Sequence, residues 1–279
     1  MRYGLETATF LVLAFAFVWV GKLAYGLFWP AARVDRELTA RDNLAFAVPL
    51  GAYYLGILLV MGVPLSGPSR PDFWHDVLSS VGWGLLAILV LNVASIATDR
   101  LVFRRIDLRG EVLERGNLAA GTVLAGSHLA CALITLGALA DEGGPLPGLV
   151  FWLYALLLLG LGVTAHLQVV RYDVTAELHR GNQAVALTVA GVLVAMGNVL
   201  RLAITGPFQG WTPAFGAATG YALAGLVLLF VVRRLTDWLL LPGVTIRQEI
   251  VEQEVPNVGV GYLEALIYLG ASFLVGWTL

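Results

Sequence analysis

The sequence predicts an all-α, polytopic membrane protein of eight transmembrane helices, arranged as two tandem four-helix repeats. Three observations predict this class. The chain of 279 residues is 58% hydrophobic and only 13% charged, whereas a soluble domain typically carries about a quarter charged residues. Apolar runs long enough to cross a bilayer recur along the whole chain. The two halves of the sequence also match each other at a nearly constant offset.

Each predicted span is a run of about 20 mostly apolar residues. We expect the eight spans at residues 6–29, 43–64, 76–99, 117–140, 147–170, 182–205, 212–235 and 257–278. The loops left between them are short, which excludes a separate soluble domain. The first run is too long for a secretory signal and lacks a clean small-residue cleavage site, so we expect a retained helix.

The distribution of arginine predicts the orientation. Loops between spans 1–2, 3–4, 5–6 and 7–8 hold thirteen arginines, against three on the opposite side. The thirteen are Arg33, Arg36, Arg41, Arg100, Arg104, Arg105, Arg109, Arg115, Arg171, Arg180, Arg233, Arg234 and Arg247. Because loops rich in positive charge stay in the cytoplasm, we expect a protein of the bacterial cytoplasmic (inner) membrane with both termini extracytoplasmic.

The chain repeats itself at two levels. At an offset of 138 residues, Thr98-Asp99 matches Thr236-Asp237, which divides the chain into repeats at residues 1–142 and 143–279. Each repeat contains an even number of spans, so the two are parallel repeats that enter the membrane in the same direction. At an offset of 74, "ELTARDNLA" from residue 37 matches "EVLERGNLA" from residue 111, which divides each repeat into two helical hairpins.

An asparagine opens the second helix of each of the four hairpins. The four are Asn43, Asn117, Asn182 and Asn257. The residues four and eight positions after each are Gly or Ala, which lie on one helical face and let membrane helices approach closely. We therefore expect spans 2, 4, 6 and 8 to be inner and closely packed. The asparagines fit helix N-caps best, and the alternative is a ring of four carboxamides that forms a polar constriction.

This charged approach, followed by Asn-x-Ala or Asn-x-Gly and a small-residue stripe, resembles the YjfL-type family of bacterial inner-membrane proteins (domain of unknown function 350). Typical members have four spans, so the chain resembles two members fused in tandem. The fourth copy, "NVGVGYLEA" from Asn257, is nearest to the family pattern, and the second copy departs from it with Leu124 in place of Glu264. The resemblance implies a role in the cell envelope and assigns no biochemical activity.

Glu264 is the strongest candidate for a functional residue. It lies seven residues after Asn257, about 10 Å into span 8 at 1.5 Å per residue, and it shares a helical face with Asn257 and Gly261. We therefore expect it to face the interior of the bundle. An ionisable group at that depth usually marks a pathway, a proton relay or a partnered site. The alternative is a protonated carboxyl that is hydrogen-bonded to a neighbouring helix.

Other polar residues complete the candidate site. His128 lies in the middle of span 4, and Asp99 and Asp237 close spans 3 and 7, where a salt bridge to a loop arginine is the favoured interpretation. No metal-ligand spacing, phosphate loop or nucleophile motif appears in the sequence, so we expect no metal, no cofactor and no catalysis. The candidate binding residues are Glu264, Asn257, Asn117, Asn43, Asn182, His128, Asp99 and Asp237.

Two functions fit these observations. The first is an ion or small-solute permeation or transport protein with Glu264 in the pathway. The alternative is a non-catalytic membrane scaffold, or envelope-stress partner, that docks a peripheral cytoplasmic protein through the Arg-rich loops 100–116 and 233–256. An intramembrane enzyme fits least well. The partners expected are the lipid bilayer, a second copy of the chain or a peripheral cytoplasmic protein, and not nucleic acid, because the loops carry acidic residues as well as arginine.

Overall fold

The computed structural model describes residues 2–66, 73–140, 143–241 and 243–278. Its regular elements are helices, and eight of them are long and apolar enough to cross a membrane, as predicted. In chain order the helices are α1 (Arg2–Phe28), α2 (Leu44–Ser66), α3 (Phe73–Val102), α4 (Leu108–Glu114), α5 (Leu118–Leu139), α6 (Pro145–Val169), α7 (Val174–His179), α8 (Gln183–Ile204), α9 (Trp211–Leu239) and α10 (Val258–Thr278).

Two helices extend three or more residues beyond their predicted C-terminal ends. α3 continues to Val102 and α9 to Leu239, past the predicted limits 99 and 235. Charged residues end an apolar run but do not end a helix, because Arg and Leu are both good helix formers. Arg100, counted above with the loop arginines, therefore lies inside α3, and Arg233, already within the predicted span, lies inside α9.

The eight spanning helices form two layers of four. In the inner layer α2, α5, α8 and α10 lie side by side in a row, and in the outer layer α1, α3, α6 and α9 do the same. Of the inner helices, α5 and α8 have 67% of their spans buried, but α10, at the end of the row, has only 28%. The expectation that spans 2, 4, 6 and 8 are inner and closely packed is confirmed, and the lower burial of α10 reflects its single inner neighbour, α8.

Glycine–alanine contacts hold the inner layer together. A Cβ atom placed on Gly126 of α5 would lie 2.6 Å from Cα of Ala190 in α8, and a Cβ on Gly191 would lie at the same distance from Cα of Ala265 in α10. No side chain fits at these glycines without moving a backbone. Such close approach gives the helices extensive van der Waals contact, which stabilises them in lipid without a hydrophobic driving force.

A short helical turn precedes each inner helix, and we call these four segments the entry turns. They are Arg36–Ala40, α4, α7 and Gln248–Glu252, and the first and last are π-helical. All four lie at the N-terminal ends of inner helices that run in the same direction, as expected for parallel repeats. The extracytoplasmic placement of the termini stays a prediction. So does the repeat boundary at 142/143, which touches residue 142, outside the described residues.

Candidate functional site

Each of the four asparagines caps an inner helix and binds a glutamate of its own entry turn. The side-chain oxygen accepts a hydrogen bond from a backbone N–H in the first turn of the helix, which is the predicted N-cap. The side-chain nitrogen donates to the glutamate, and we call these contacts the Asn–Glu pairs. They are Asn43–Glu37 (3.0 Å), Asn117–Glu111 (2.9 Å), Asn182–Glu177 (2.8 Å) and Asn257–Glu249 (2.8 Å).

Three of these asparagines also bind the next entry turn. The same amide group donates to the backbone carbonyl of the residue that follows the next glutamate. The contacts are Asn43 to Val112 (3.0 Å), Asn117 to Leu178 (2.8 Å) and Asn182 to Ile250 (2.7 Å). The amides therefore lie in a row that links consecutive copies, and they do not surround an axis as the ring alternative requires.

The glutamates of the first two entry turns are held in the ionised form. Burial raises the pKa of the Glu37 carboxyl, but hydrogen bonds donated by Asn43 and Arg41 more than offset it, and the pKa lies below the ordinary 4.5. The same balance applies to Glu111, whose donors include Asn117. These carboxylates accept bonds from charged and neutral donors at once, which favours the charged form.

Glu264 is fully buried in α10, facing the interior as predicted. Three side chains bind its carboxylate: Arg233 of α9 donates to Oε1 over 2.8 Å, Thr188 of α8 donates to Oε2 over 2.8 Å, and Tyr268 donates to Oε1 over 2.6 Å. We call these four residues the Glu264 cluster. The guanidinium balances the carboxylate charge, so the cluster is an ion pair inside a membrane-spanning bundle.

His166 extends the Glu264 cluster toward α6. Its ring stacks on Phe230, with centroids 5.5 Å apart, and meets the ring of Tyr268 edge-on at 6.0 Å. The imidazole is 1% exposed, and within the described part of the chain neither ring nitrogen has a hydrogen-bond partner. Because buried polar groups are nearly always paired, an imidazole with neither nitrogen bonded within the described residues makes His166 a further candidate residue beside the cluster.

Tyr172 lies between the Glu264 cluster and a surface cleft. The cleft has a volume of about 840 Å³, lies at the ends of α3 and α6, and is lined by Arg104, Arg105, Gln168 and Tyr172 among others. Burial raises the pKa of Tyr172 to about 12, although the neighbouring Arg233 guanidinium lowers it. The phenol is therefore protonated at neutral pH, and it separates the cleft from the ion pair.

The first half holds a different polar group. Arg109 donates from Nε to Asp99 over 3.3 Å, so the expected salt bridge to a loop arginine is confirmed there. Asp237 instead accepts the backbone N–H of Ile246 over 2.7 Å, so for this residue the salt-bridge expectation is wrong. The repeat-related Arg247 pairs with Glu252.

His128 contacts backbone rather than other candidate residues. Its Nδ1 donates to the carbonyl oxygen of Pro49 over 3.0 Å. The eight candidates therefore fall into separate groups: the Asn–Glu pairs, the Glu264 cluster, and the polar residues of the first half with Asp237.

The Glu264 cluster has no counterpart in the first half. Counted from Asn117 and Asn257, Leu124 stands where the second half has Glu264, and at the offset of 138 Ser95 stands where it has Arg233. The first half therefore lacks both the arginine and the glutamate of the ion pair. Sequence reasoning missed Arg233 because it was counted as a determinant of topology, although its position inside the predicted span 212–235 was an available signal.

Comparison with known proteins agrees with this architecture. The family model described as Domain of Unknown Function (DUF350) matches residues 2–139 and, separately, residues 143–279, which confirms both the resemblance and the tandem arrangement. A relative from Aquifex aeolicus (strain VF5), described as UPF0719 transmembrane protein, is 23% identical over 266 residues, which cover 89% of this chain and 88% of the relative. No solved structure matches the chain.

Proposed function

The chain belongs to the DUF350 family as two tandem copies of a multi-pass membrane domain, and we propose that it moves protons or small ions across the bacterial cytoplasmic membrane through the Glu264 cluster. The observation that carries the proposal is the ion pair between Glu264, which is fully buried, and Arg233 on the neighbouring helix. Ionisable groups inside spans are costly, and they usually mark an ion or proton pathway.

The first half of the chain serves as an internal comparison. It forms the same four-helix arrangement with Leu124, 1% exposed, at the position that corresponds to Glu264. The repeat therefore folds without the ion pair. Since buried ion pairs are often no more stabilising than well-packed apolar residues, stability gives little reason to keep one in the second half, and a functional role accounts for it better.

The surrounding residues support a route from the entry-turn side. The cleft reaches Tyr172, beyond which lie Arg233 and Glu264, and Tyr268 leads on to His166. On this proposal Glu264 takes up a proton from one side and loses its attraction to Arg233. When the proton leaves again, the carboxylate re-forms its ion pair with Arg233.

The test is flux in proteoliposomes under imposed H⁺, Na⁺, K⁺ or Cl⁻ gradients, with wild type beside Glu264→Gln. The substitution keeps the size of the side chain and removes its charge, so we expect it to abolish most of the flux. Glu177→Gln is the matched control, because Glu177 is also a buried carboxylate with Asn and Arg partners but lies in an entry turn. Flux that Glu264→Gln leaves unchanged, or no wild-type flux in any gradient, would contradict the proposal.

One observation favours the scaffold as a second candidate. Arg104 and Arg105 are exposed at the cleft and form no ion pair within the described residues, whereas Arg41, Arg115 and Arg180 are each paired with a glutamate. If a peripheral protein docks here, reversing both charges with Arg104→Glu and Arg105→Glu abolishes its co-purification, and Glu264→Gln does not.

A further inference from the structure

The three internal contacts of the inner layer follow one rule. At each of three depths, two of the three contacts join a glycine of one helix to an alanine of its neighbour. Counted from each helix's own asparagine, positions +2, +9 and +13 of a helix face positions +4, +8 and +15 of the helix that follows. The pairs with the closest approach are Ala45–Gly121 and Ala184–Gly261, Gly126–Ala190 and Gly191–Ala265, and Gly56–Ala132 and Ala130–Gly197.

The helices at the two ends of the row, α10 and α2, each have one of these two faces without a neighbouring helix in the described part of the chain. In α10, positions +2, +9 and +13 are Gly259, Leu266 and Gly270, and all three are exposed. In α2, positions +4, +8 and +15 are Ala47, Gly51 and Leu58, which are half-buried, exposed and exposed. A Cβ atom added to Gly51 or to Gly270 would have nothing within 4 Å.

These two edges are complementary in size. Under the internal rule Gly259 faces Ala47, Leu266 faces Gly51, and Gly270 faces Leu58. Each level has a glycine on one side, as in the closest internal contacts, and the two leucines oppose glycines rather than each other. At two of the three levels a leucine takes the place of a small residue of the internal contacts, and the glycine opposite it leaves room for the larger side chain.

The entry turns at the two ends of the row also lack contacts that the other entry turns make. The residue after each entry-turn glutamate is buried in three copies: Val112 is 0% exposed, Leu178 1% and Ile250 0%. Its equivalent in the first entry turn, Leu38, is 37% exposed. At the other end of the row, Asn257 is exposed, and its amide donates to Glu249. The other three asparagines donate in addition to the carbonyl of the buried residue.

We propose that a second copy of this chain continues the inner layer head to tail, with its α2 edge packed on the α10 edge of the first. In this arrangement Asn257 of one copy donates to the carbonyl of Leu38 in the next, and Leu38 becomes buried like its three equivalents. The contact joins different surfaces of the two copies, so it produces either a closed ring or an open array. A symmetric pairing of identical faces leaves both edges unmatched.

Disulfide cross-linking in reconstituted vesicles tests the proposal, in a background where Cys131, the lone cysteine, is replaced by Ala. Leu58→Cys and Gly270→Cys are made in separate proteins and then mixed. We expect a covalent dimer from the mixture and little from either protein alone. Leu223→Cys, which places the thiol on an exposed position of α9, replaces Gly270→Cys in the control mixture.

Three results would overturn head-to-tail packing: no dimer in the mixture above that control, dimer formed equally by either single variant alone, or a cross-link that survives a block of the edge. The block is Gly51→Phe, because the position has open space within one molecule but faces Leu266 of a neighbour. We expect it to remove most of the cross-link while the protein stays folded. Gly220→Phe in α9, also with nothing within 4 Å, is the matched control. The readout is independent of flux, so its outcome is separate from that of the proposed function.

Discussion

Nη1 of Arg233 lies 2.8 Å from Oε1 of Glu264, and this contact joins α9 to α10 inside the bundle. Thr188 and Tyr268 supply the other hydrogen bonds to the carboxylate. In the first half, Ser95 and Leu124 occupy the corresponding positions. Of the two repeats, one therefore carries both charges at this place in the fold and the other carries neither.

Removing Arg233 alone is expected to destabilise the folded protein. Arg233→Ser leaves a buried carboxylate without its cation and lowers the free energy of unfolding by about 3–5 kcal/mol. The double variant Arg233→Ser/Glu264→Leu installs the residues of the first half, and we expect it to recover most of this loss. Thermal or denaturant unfolding in detergent measures all the variants. If the double variant loses as much as the two single variants combined, the pair is not coupled.

Glycine at the helix contacts is expected to be irreplaceable. A Cβ atom on Gly121 would lie within 3.0 Å of backbone atoms of Ala45. Gly121→Ala should therefore cost about 1–3 kcal/mol, the usual range for overpacking. Gly220→Ala introduces the same methyl group into α9, where nothing lies within 4 Å, and should be neutral or stabilising by up to about 1 kcal/mol. Equal effects in thermal unfolding would refute the close contact.

The donor role of the asparagines is separable from their capping role. Asp caps a helix as well as Asn does, but it has no N–H to donate to Glu111 and to the carbonyl of Leu178. Asn117→Asp should therefore cost about 1–3 kcal/mol for the buried acceptors left without a donor. Asn257→Asp is the control, because that side chain is exposed and binds one entry turn. Equal tolerance of both substitutions in an unfolding assay would show that only capping matters.

Stability is expected to fall in acid. The pKa of Glu37 and that of Glu111 both lie below the ordinary 4.5 in the folded protein. Folding therefore favours the ionised form, and the stability that this contributes is fully present above about pH 4.5 and lost as the pH falls through the folded pKa. Unfolding temperatures measured between about pH 7 and 3 should show this decline.

A charge-matched pair of variants isolates the contribution of Glu111. Glu111→Gln should lower stability at neutral pH and weaken its dependence on pH. Glu254→Gln removes an exposed carboxylate instead and should leave the decline as steep as in wild type. A decline that Glu111→Gln leaves unchanged would show that other groups control acid sensitivity.

The spans and repeats were predictable because the bilayer imposes them. A spanning helix must satisfy its backbone internally and present about 20 apolar residues to lipid, so run length alone locates all eight. The asparagines were visible because they recur at the same place in each hairpin. Their glutamate partners were less visible, because the spacing from glutamate to asparagine is six residues for Glu37 and Glu111 but five for Glu177 and eight for Glu249.

The lateral order of the helices was harder to predict. The stripe at positions +4 and +8 was recognised, and it indicates one packed face per inner helix. The structure uses a second face, at +2, +9 and +13, so each inner helix has two neighbours and the four form a row. Arg233 was missed for a related reason. Position along a span does not tell which side of an outer helix faces the inner layer, and here that side carries the charge.

The common direction of α2, α5, α8 and α10 gives the inner layer an electrical polarity. Aligned peptide dipoles leave roughly half a positive charge at the N-terminus of each helix and half a negative charge at its C-terminus. Side by side in one direction, such dipoles repel each other. The entry turns bring a carboxylate to each positive end, from Glu37, Glu111, Glu177 and Glu249. Antiparallel neighbours would cancel their dipoles unaided, so the four glutamates compensate for building a layer from parallel helices.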